Sequence, residues 1–226
     1  MRVLSVVHHP GHTGGGGLFE TVAEELGHRH ERWHAPDGRH EDDPAAYDAI
    51  MVFGGYMHPD QDAEHPWLQG EADFIRAALD ERVPMLGVCL GSQLLARAAG
   101  ASVFRSTEPE VGWLPVELTE AAAADPVAAS LPERFDAFQW HHYTHELPAG
   151  AVELARSRVC LQAFRLGDAW GVQFHPEVRA AQVEAWLGED PDDVDDPQAL
   201  REATRERIDA WNDLGRRLCA AFLAAA

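Results

Sequence analysis

The chain has 226 residues, a length that one α/β domain with a full core can fill. Apolar residues make up 46% and charged residues 25%, and no run approaches the roughly 20 apolar residues of a bilayer crossing, which excludes a disordered polyelectrolyte and a membrane span. Eighteen Lys and Arg against 38 Asp and Glu give a net charge of −20, a field that repels phosphate backbones and anionic headgroups and so argues against nucleic acid or a membrane as partner.

Met1 to His9 holds one Arg and a short apolar run without a small-residue cleavage site, so the expected location is cytoplasmic. The three cysteines, Cys89, Cys160 and Cys219, are odd in number and lack CxxC spacing. That speaks against a disulfide framework and a zinc knuckle, and leaves room for a reactive thiol.

In chain order, Val3, Leu4, Val6 and Val7 make Arg2 to His8 a buried strand. A loop from Pro10 to Gly17 follows, then a helix from Leu18 to His28 with apolar residues at three- and four-residue spacing. Ala49 to Phe53 is a second strand stopped by Gly54-Gly55, and Leu68 to Leu79 is a second helix. Val83 to Val88 is a third strand ending at Cys89, and a helix from Ser92 to Ala99 closes at Gly100 in a left-handed cap. Strands alternating with helices indicate parallel βαβ units under helices on both faces.

The second half changes character. Val103 to Phe104, Gly112 to Leu118, Ala137 to His141, Val152 to Arg156, Val159 to Arg165 and Ala169 to Phe174 read as short strands of an antiparallel extension. Glu189 to Pro197 reads as an acidic linker, and Gln198 to Ala226 as a terminal helix with one apolar stripe. The expected fold class is therefore α/β, a three-layer sandwich with a mostly parallel central sheet and an antiparallel extension. Residues 1–186 form the main domain, with 187–226 as linker and packed helix.

Gly87-Val88-Cys89-Leu90-Gly91 places a cysteine on a sharp strand-to-helix turn that only small neighbours permit. Its sulfur stands at a helix N-terminus, where free N–H groups favour thiolate. Thirteen histidines are available as base, and Phe174-His175-Pro176-Glu177 stands out because it ends an apolar strand. Pro176 favours extended backbone before it, so His175 and Glu177 point the same way, as an imidazole and its orienting carboxylate must. The backbone N–H of Leu90 and the Gly54-Gly55 turn are candidate donors for an oxyanion.

With these residues in this order, the chain resembles the class I (triad) glutamine amidotransferase domain. The resemblance is carried by Gly54-Gly55, Val83 to Gln93 and Gln173 to Glu177, flanked by Glu110-Val111-Gly112-Trp113 and Gln139-Trp140-His141. It looks closest to the stand-alone branch similar to the glutaminase part of guanylate synthetase. The resemblance implies a flavodoxin-like fold, Cys89 as nucleophile, His175 as base and acid, and Glu177 orienting it. It also implies oxyanion donors at Gly55 and Leu90, and substrate contacts at Gly54, Gln93, His141 and Tyr143.

The implied ligand is glutamine or another γ-glutamyl compound, with a separate synthase subunit as ammonia acceptor and no cofactor. Two departures bear on substrate: His141-His142-Tyr143 replaces a His-Gly-Asp run, removing an acid that could hold the substrate ammonium, and Tyr56 replaces a proline. Hydrolysis of other γ-glutamyl amides or peptides, and a non-catalytic regulatory module, are the alternatives.

Other features point to less. Gly14 to Gly17 lacks the Lys-Ser/Thr ending of a phosphate loop, and the histidines of the first forty residues lack zinc spacing, so no metal is expected there. Asp190 to Asp196 lacks the glycine and glutamate of a calcium loop and reads as solvated linker. Trp113 and Trp140 read as core anchors.

Overall fold

The computed structural model describes residues 1–9 and 15–226. These form one nine-stranded sheet in the order β2-β1-β3-β4-β9-β8-β7-β5-β6. The parallel part comprises β1 (Arg2–Val7), β2 (Arg29–His34), β3 (Ala49–Val52), β4 (Met85–Val88) and β9 (Ala169–Val172). The antiparallel extension adds β5 (Val103–Leu118), β6 (Arg134–His145), β7 (Val152–Arg156) and β8 (Leu161–Leu166). The expected three-layer α/β architecture, with a parallel core and an antiparallel extension, is the one the chain adopts.

Strand alternation divides the core between the two faces. Val3 and Val7 of β1 join a cluster with Leu18, Phe19 and Val22 of α1 (Gly17–Glu25), Val183 and Leu187 of α4 (Ala180–Glu189), and Trp211, Leu218 and Phe222 of α5 (Pro197–Ala225). Leu4 and Val6 face the other way, into a cluster with Leu68, Phe74 and Ile75 of α2 (Trp67–Asp80) and Leu90, Leu94 and Leu95 of α3 (Leu90–Ala98). Each such large apolar side chain, fully buried, contributes on the order of 1.5–3 kcal/mol. No described helix is long and apolar enough to cross a membrane.

Several elements differ from expectation, among them β6, which runs over Arg134–His145 rather than Ala137 to His141. β2 was not expected: it is an edge strand paired on one side only, so its sequence is polar apart from buried Trp33. Helix α1 ends at Glu25 rather than His28, with Gly27 at φ 77° just beyond. The expected strands at 103–104 and 112–118 are one strand, β5, interrupted by a register shift between Arg105 and Glu110. Helix α4 also went unexpected, and it shortens the acidic linker to residues 190–196. Helix α5 runs within a residue of the expected span, and Gly100 takes φ 87° after α3, as a left-handed cap does.

Candidate active site

Strands β1, β3, β4 and β9 are neighbours and parallel, so the segments leaving their C-terminal ends converge on one edge of the sheet. Those segments are His8-His9, Phe53-Gly54-Gly55, Cys89 and Gln173 to Glu177. Cys89 has φ 51° and ψ −109°, a left-handed position for a residue with a side chain, costing about 1–3 kcal/mol. The flanking glycines make the turn possible: a Cβ on Gly91 would lie 2.0 Å from the Val52 carbonyl oxygen, and one on Gly87 2.6 Å from that of Gly91. The Cys89 N–H donates to the Val172 carbonyl at 2.8 Å, tying the elbow to β9.

His175 is fixed from three sides. Its N–H donates to the Phe138 carbonyl at 2.9 Å, its own carbonyl accepts from the Trp211 indole at 2.9 Å, and Trp186 packs edge-on with ring centres 4.9 Å apart. Its Nδ1 bonds Glu177 Oε1 at 2.8 Å, with both side chains at most 4% exposed. The ring also meets the Cys89 thiol. Burial pulls the imidazolium down, but the Glu177 carboxylate and the Cys89 sulfur outweigh it and push His175 up to about 10. Such a histidine is charged at neutral pH beside the sulfur.

Two pockets meet at Cys89, sharing Gly55, Tyr56, Trp140 and Asp190. One continues past His175 and Trp186, the other past Gln93, Arg105 and Tyr143. Leu90 heads α3, where first-turn N–H groups have no intrahelical acceptor. The Gln93 amide donates to the Tyr143 carbonyl at 2.8 Å and to Gln173 Oε1 at 3.1 Å, so it braces the pocket wall. Tyr143 stacks on His58 with ring centres 4.2 Å apart, and burial lowers that imidazole.

His141 also lines the second of these pockets, its ring buried with Nδ1 on the Tyr143 carbonyl at 3.0 Å and Nε2 3.3 Å from Glu110. With Cys160 it forms the one described set of metal-type ligand atoms, all within 4.8 Å. Glu110 Oε2 there already accepts from Gln162 at 2.8 Å and from the Cys160 thiol at 3.2 Å. Burial pushes that thiol up to about 12, so it stays a proton donor to Glu110.

The structure adds to two sequence readings and corrects one. Trp140 is a pocket wall as well as a core anchor: half-buried, it packs against the core beside Phe138, lines the cleft, and donates its indole N–H to Asp193 Oδ2 at 3.0 Å. The acidic linker is not merely solvated, because α4 delivers Asp190 and Asp193 to the cleft, Asp193 lying 3.4 Å from His142. Among the N-terminal histidines, His8 is wholly buried against Glu71; His12 and Gly14 lie outside the described residues. His8, Glu71, Trp186 and Asp190 were missed because their neighbours are remote in sequence.

The sequence model of the family described as "Glutamine amidotransferase class-I" matches residues 20–187. The chain is 33% identical over 174 residues to the glutamine amidotransferase-like protein YfeJ of Salmonella typhimurium, covering 74% of this chain and 72% of that one. It is 33% identical over 154 residues to the γ-glutamyl-L-1-hydroxyisopropylamide hydrolase of a Pseudomonas species, covering 64% of this chain and 52% of that protein. A glutamine amidotransferase structure from Thermotoga maritima superposes with a TM-score of 0.89 at 31% identity, covering 99% of this chain and 98% of that one. The chain belongs to the class I glutamine amidotransferase family.

Proposed function

We propose that the protein hydrolyses γ-glutamyl amides, glutamine among them, through a thioester on Cys89. The observation that carries this reading is the buried His175–Glu177 pair at 2.8 Å beside a cysteine held at φ 51°. The Cys89 thiolate attacks the γ-carbonyl carbon, and the N–H groups of Leu90 and Gly55 receive the oxyanion. One such donor is typically worth about 2.7–4 kcal/mol. The His175 imidazolium then protonates the departing nitrogen, the C–N bond breaks, and the acyl group remains on sulfur. The now neutral His175 takes a proton from water, hydroxide adds to the thioester, and collapse returns the thiolate and releases glutamate.

The two-lobed cleft supports a division of the substrate. A leaving amine must face His175, so it belongs in the lobe lined by Trp186, which has room for more than ammonia. The glutamyl group then occupies the lobe with Arg105 for its carboxylate and Asp190 for its ammonium. The charge missing at Tyr143 is thus supplied from the segment after α4. The name of the Pseudomonas relative, a hydrolase of a γ-glutamyl amide with a bulky amine, supports the same reading.

The test is turnover of a panel from glutamine to γ-glutamyl alkylamides, with adducts of an electrophilic glutamine analogue mapped by peptide mass. The expected outcome is glutamate release across the panel and a single adduct on Cys89. Cys160 should stay unlabelled because burial keeps its thiol protonated, pushed up to about 12, and Cys219 because it is wholly buried. No turnover of any member, or labels spread over all three thiols, defeats the reading.

A further inference from the structure

His8 follows β1, and β1 lies beside β3, so the residue emerges against the Phe53-Gly54-Gly55 turn. The Phe53 N–H bonds the Val6 carbonyl at 3.0 Å, fixing the two strand ends together. The His8 ring is fully enclosed. Its Nδ1 lies 3.0 Å from the Gly54 carbonyl oxygen, and its Nε2 lies 2.9 and 3.0 Å from the two carboxylate oxygens of Glu71 on α2. Both side chains have no exposure. Trp67, one turn before Glu71 on the same face of α2, stacks on the ring at 5.6 Å between centres.

A carbonyl oxygen is only an acceptor, so Nδ1 must carry a proton and donate it. Glu71 then completes the ring's bonding at Nε2, and its charge outweighs burial to hold His8 above the ordinary imidazole value. A buried ion pair of this kind adds little to stability over well-packed apolar residues. What it does add is direction. In a trans peptide the C=O and the following N–H point opposite ways, and no described peptide bond is cis. With the Gly54 carbonyl turned to His8, the Gly55 N–H turns to the other side. Gly55 itself lines the cleft at Cys89, and the turn is close to both reacting side chains of the proposed mechanism: a Cβ built on Gly54 would lie 3.6 Å from Cys89 Cβ and 3.0 Å from His175 Cε1.

We propose that His8, held by Glu71, is a positioning residue that locks the Gly54–Gly55 peptide with its N–H aimed into the cleft as an oxyanion donor. This rests on the hydrolase reading above and names the device that keeps one half of its oxyanion hole formed. Without the His8 donor, the Gly54 carbonyl loses its buried partner and the peptide is free to rotate. A rotated peptide presents a carbonyl oxygen, not an N–H, to the developing negative charge.

Two isosteres separate this role from a mere tether between α2 and the sheet. An Asn amide nitrogen stands where Nδ1 stands and keeps the bond to Gly54; a Gln amide nitrogen reaches the place of Nε2 and keeps the bond to Glu71. His8→Asn is therefore expected to retain kcat within about tenfold, whereas His8→Gln loses about 10²–10³-fold in kcat with little change in KM, the usual loss for one oxyanion donor. Alkylation of Cys89 by iodoacetamide, a displacement at saturated carbon with no oxyanion, should proceed at the wild-type rate in both. Glu71→Gln, nearly isosteric and kept as the variant safest for folding, should stay within about tenfold of wild type. There the introduced amide donates to Nε2 of a neutral ring whose Nδ1–H still serves Gly54.

The reverse order of the two His8 variants, alkylation falling in step with kcat, or a hundredfold loss in Glu71→Gln would overturn the proposal. If wild type turns over no γ-glutamyl compound, the hydrolase reading fails by itself. Crystal structures then decide the lock: the Gly54 carbonyl should face residue 8 in wild type and His8→Asn and be rotated in His8→Gln. An unrotated peptide in His8→Gln refutes it.

Discussion

Two of the molecule's buried imidazole–carboxylate pairs lie next to Gly54, and they differ in one respect. In His175–Glu177 the carboxylate holds Nδ1, and the rest of the ring faces a thiol on the wall of an open cleft. In His8–Glu71 both ring nitrogens are taken, one by a carbonyl and one by the carboxylate. Burial opposes charge in both, and a carboxylate restores it in both. Burial and a shifted pKa therefore do not distinguish a reacting histidine from a bracing one. The free nitrogen does, because proton transfer needs a site the protein has left open.

The severest test of that contrast is removal of the reacting partners. Cys89→Ala and His175→Ala should each lower kcat by on the order of 10⁶-fold, and the double variant should fall little further, because the groups act as a unit. His141→Ala and His142→Ala should leave a measurable rate, since His141 lies against Glu110 and His142 pairs with Asp193. Loss of activity in either of these, with His175→Ala active, would place the base elsewhere.

A smaller effect is expected from Glu177→Gln, which keeps a hydrogen-bond partner for the ring but removes the charge. His175 stands at about 10 because its neighbours overcome burial. Its imidazolium, the proposed acid for the leaving amine, is lost as pH rises through that value, so wild-type kcat/KM should fall on an alkaline limb near pH 10. Removing the carboxylate deletes a raising influence and moves the limb toward lower pH. A pH–rate profile whose limb stays put in Glu177→Gln would mean that Glu177 does not sustain the charge.

The mildest change concerns the far lobe. Asp190 lines it, and the Asp190 carboxylate has no partner among the described residues. A charge-assisted contact is worth about 1.5–3 kcal/mol, so Asp190→Asn should cost roughly one to two decades in kcat/KM for free glutamine. Tyr143→Asp in that background should recover part of the loss, since Tyr143 lines the same lobe. No loss in the single variant would remove Asp190 from substrate binding.

What the sequence revealed follows from how locally each feature is determined. The elbow at Cys89 was legible because backbone lies 2.0 Å from any Cβ at Gly91, so the glycine is compulsory and visible. Strands β1, β3 and β4 were legible because burial on both faces makes them continuous apolar runs. β2 escaped because an edge strand needs only Trp33 inside, and β5 looked like two strands because its register shifts at mid-length. The pairing of His8 with Glu71 spans 63 residues and exists only once β1 and α2 meet. Asp190 read as linker because its position depends on α4, a helix with no strong apolar stripe.

The bond from the Trp211 indole to the His175 carbonyl has a consequence in time. Trp211 belongs to α5, beyond the stretch the family model matches, and α5 packs Leu218 and Phe222 into the same core as β1. Synthesis runs from the N-terminus at about 5–20 residues per second, so the 122 residues from Cys89 to Trp211 take very roughly 6–24 seconds. A nascent chain thus carries its elbow cysteine well before the helix that buttresses the proposed base has been made. On the proposed mechanism, reactivity arrives with α5, and a chain released before it holds a thiol whose base lacks its buttress.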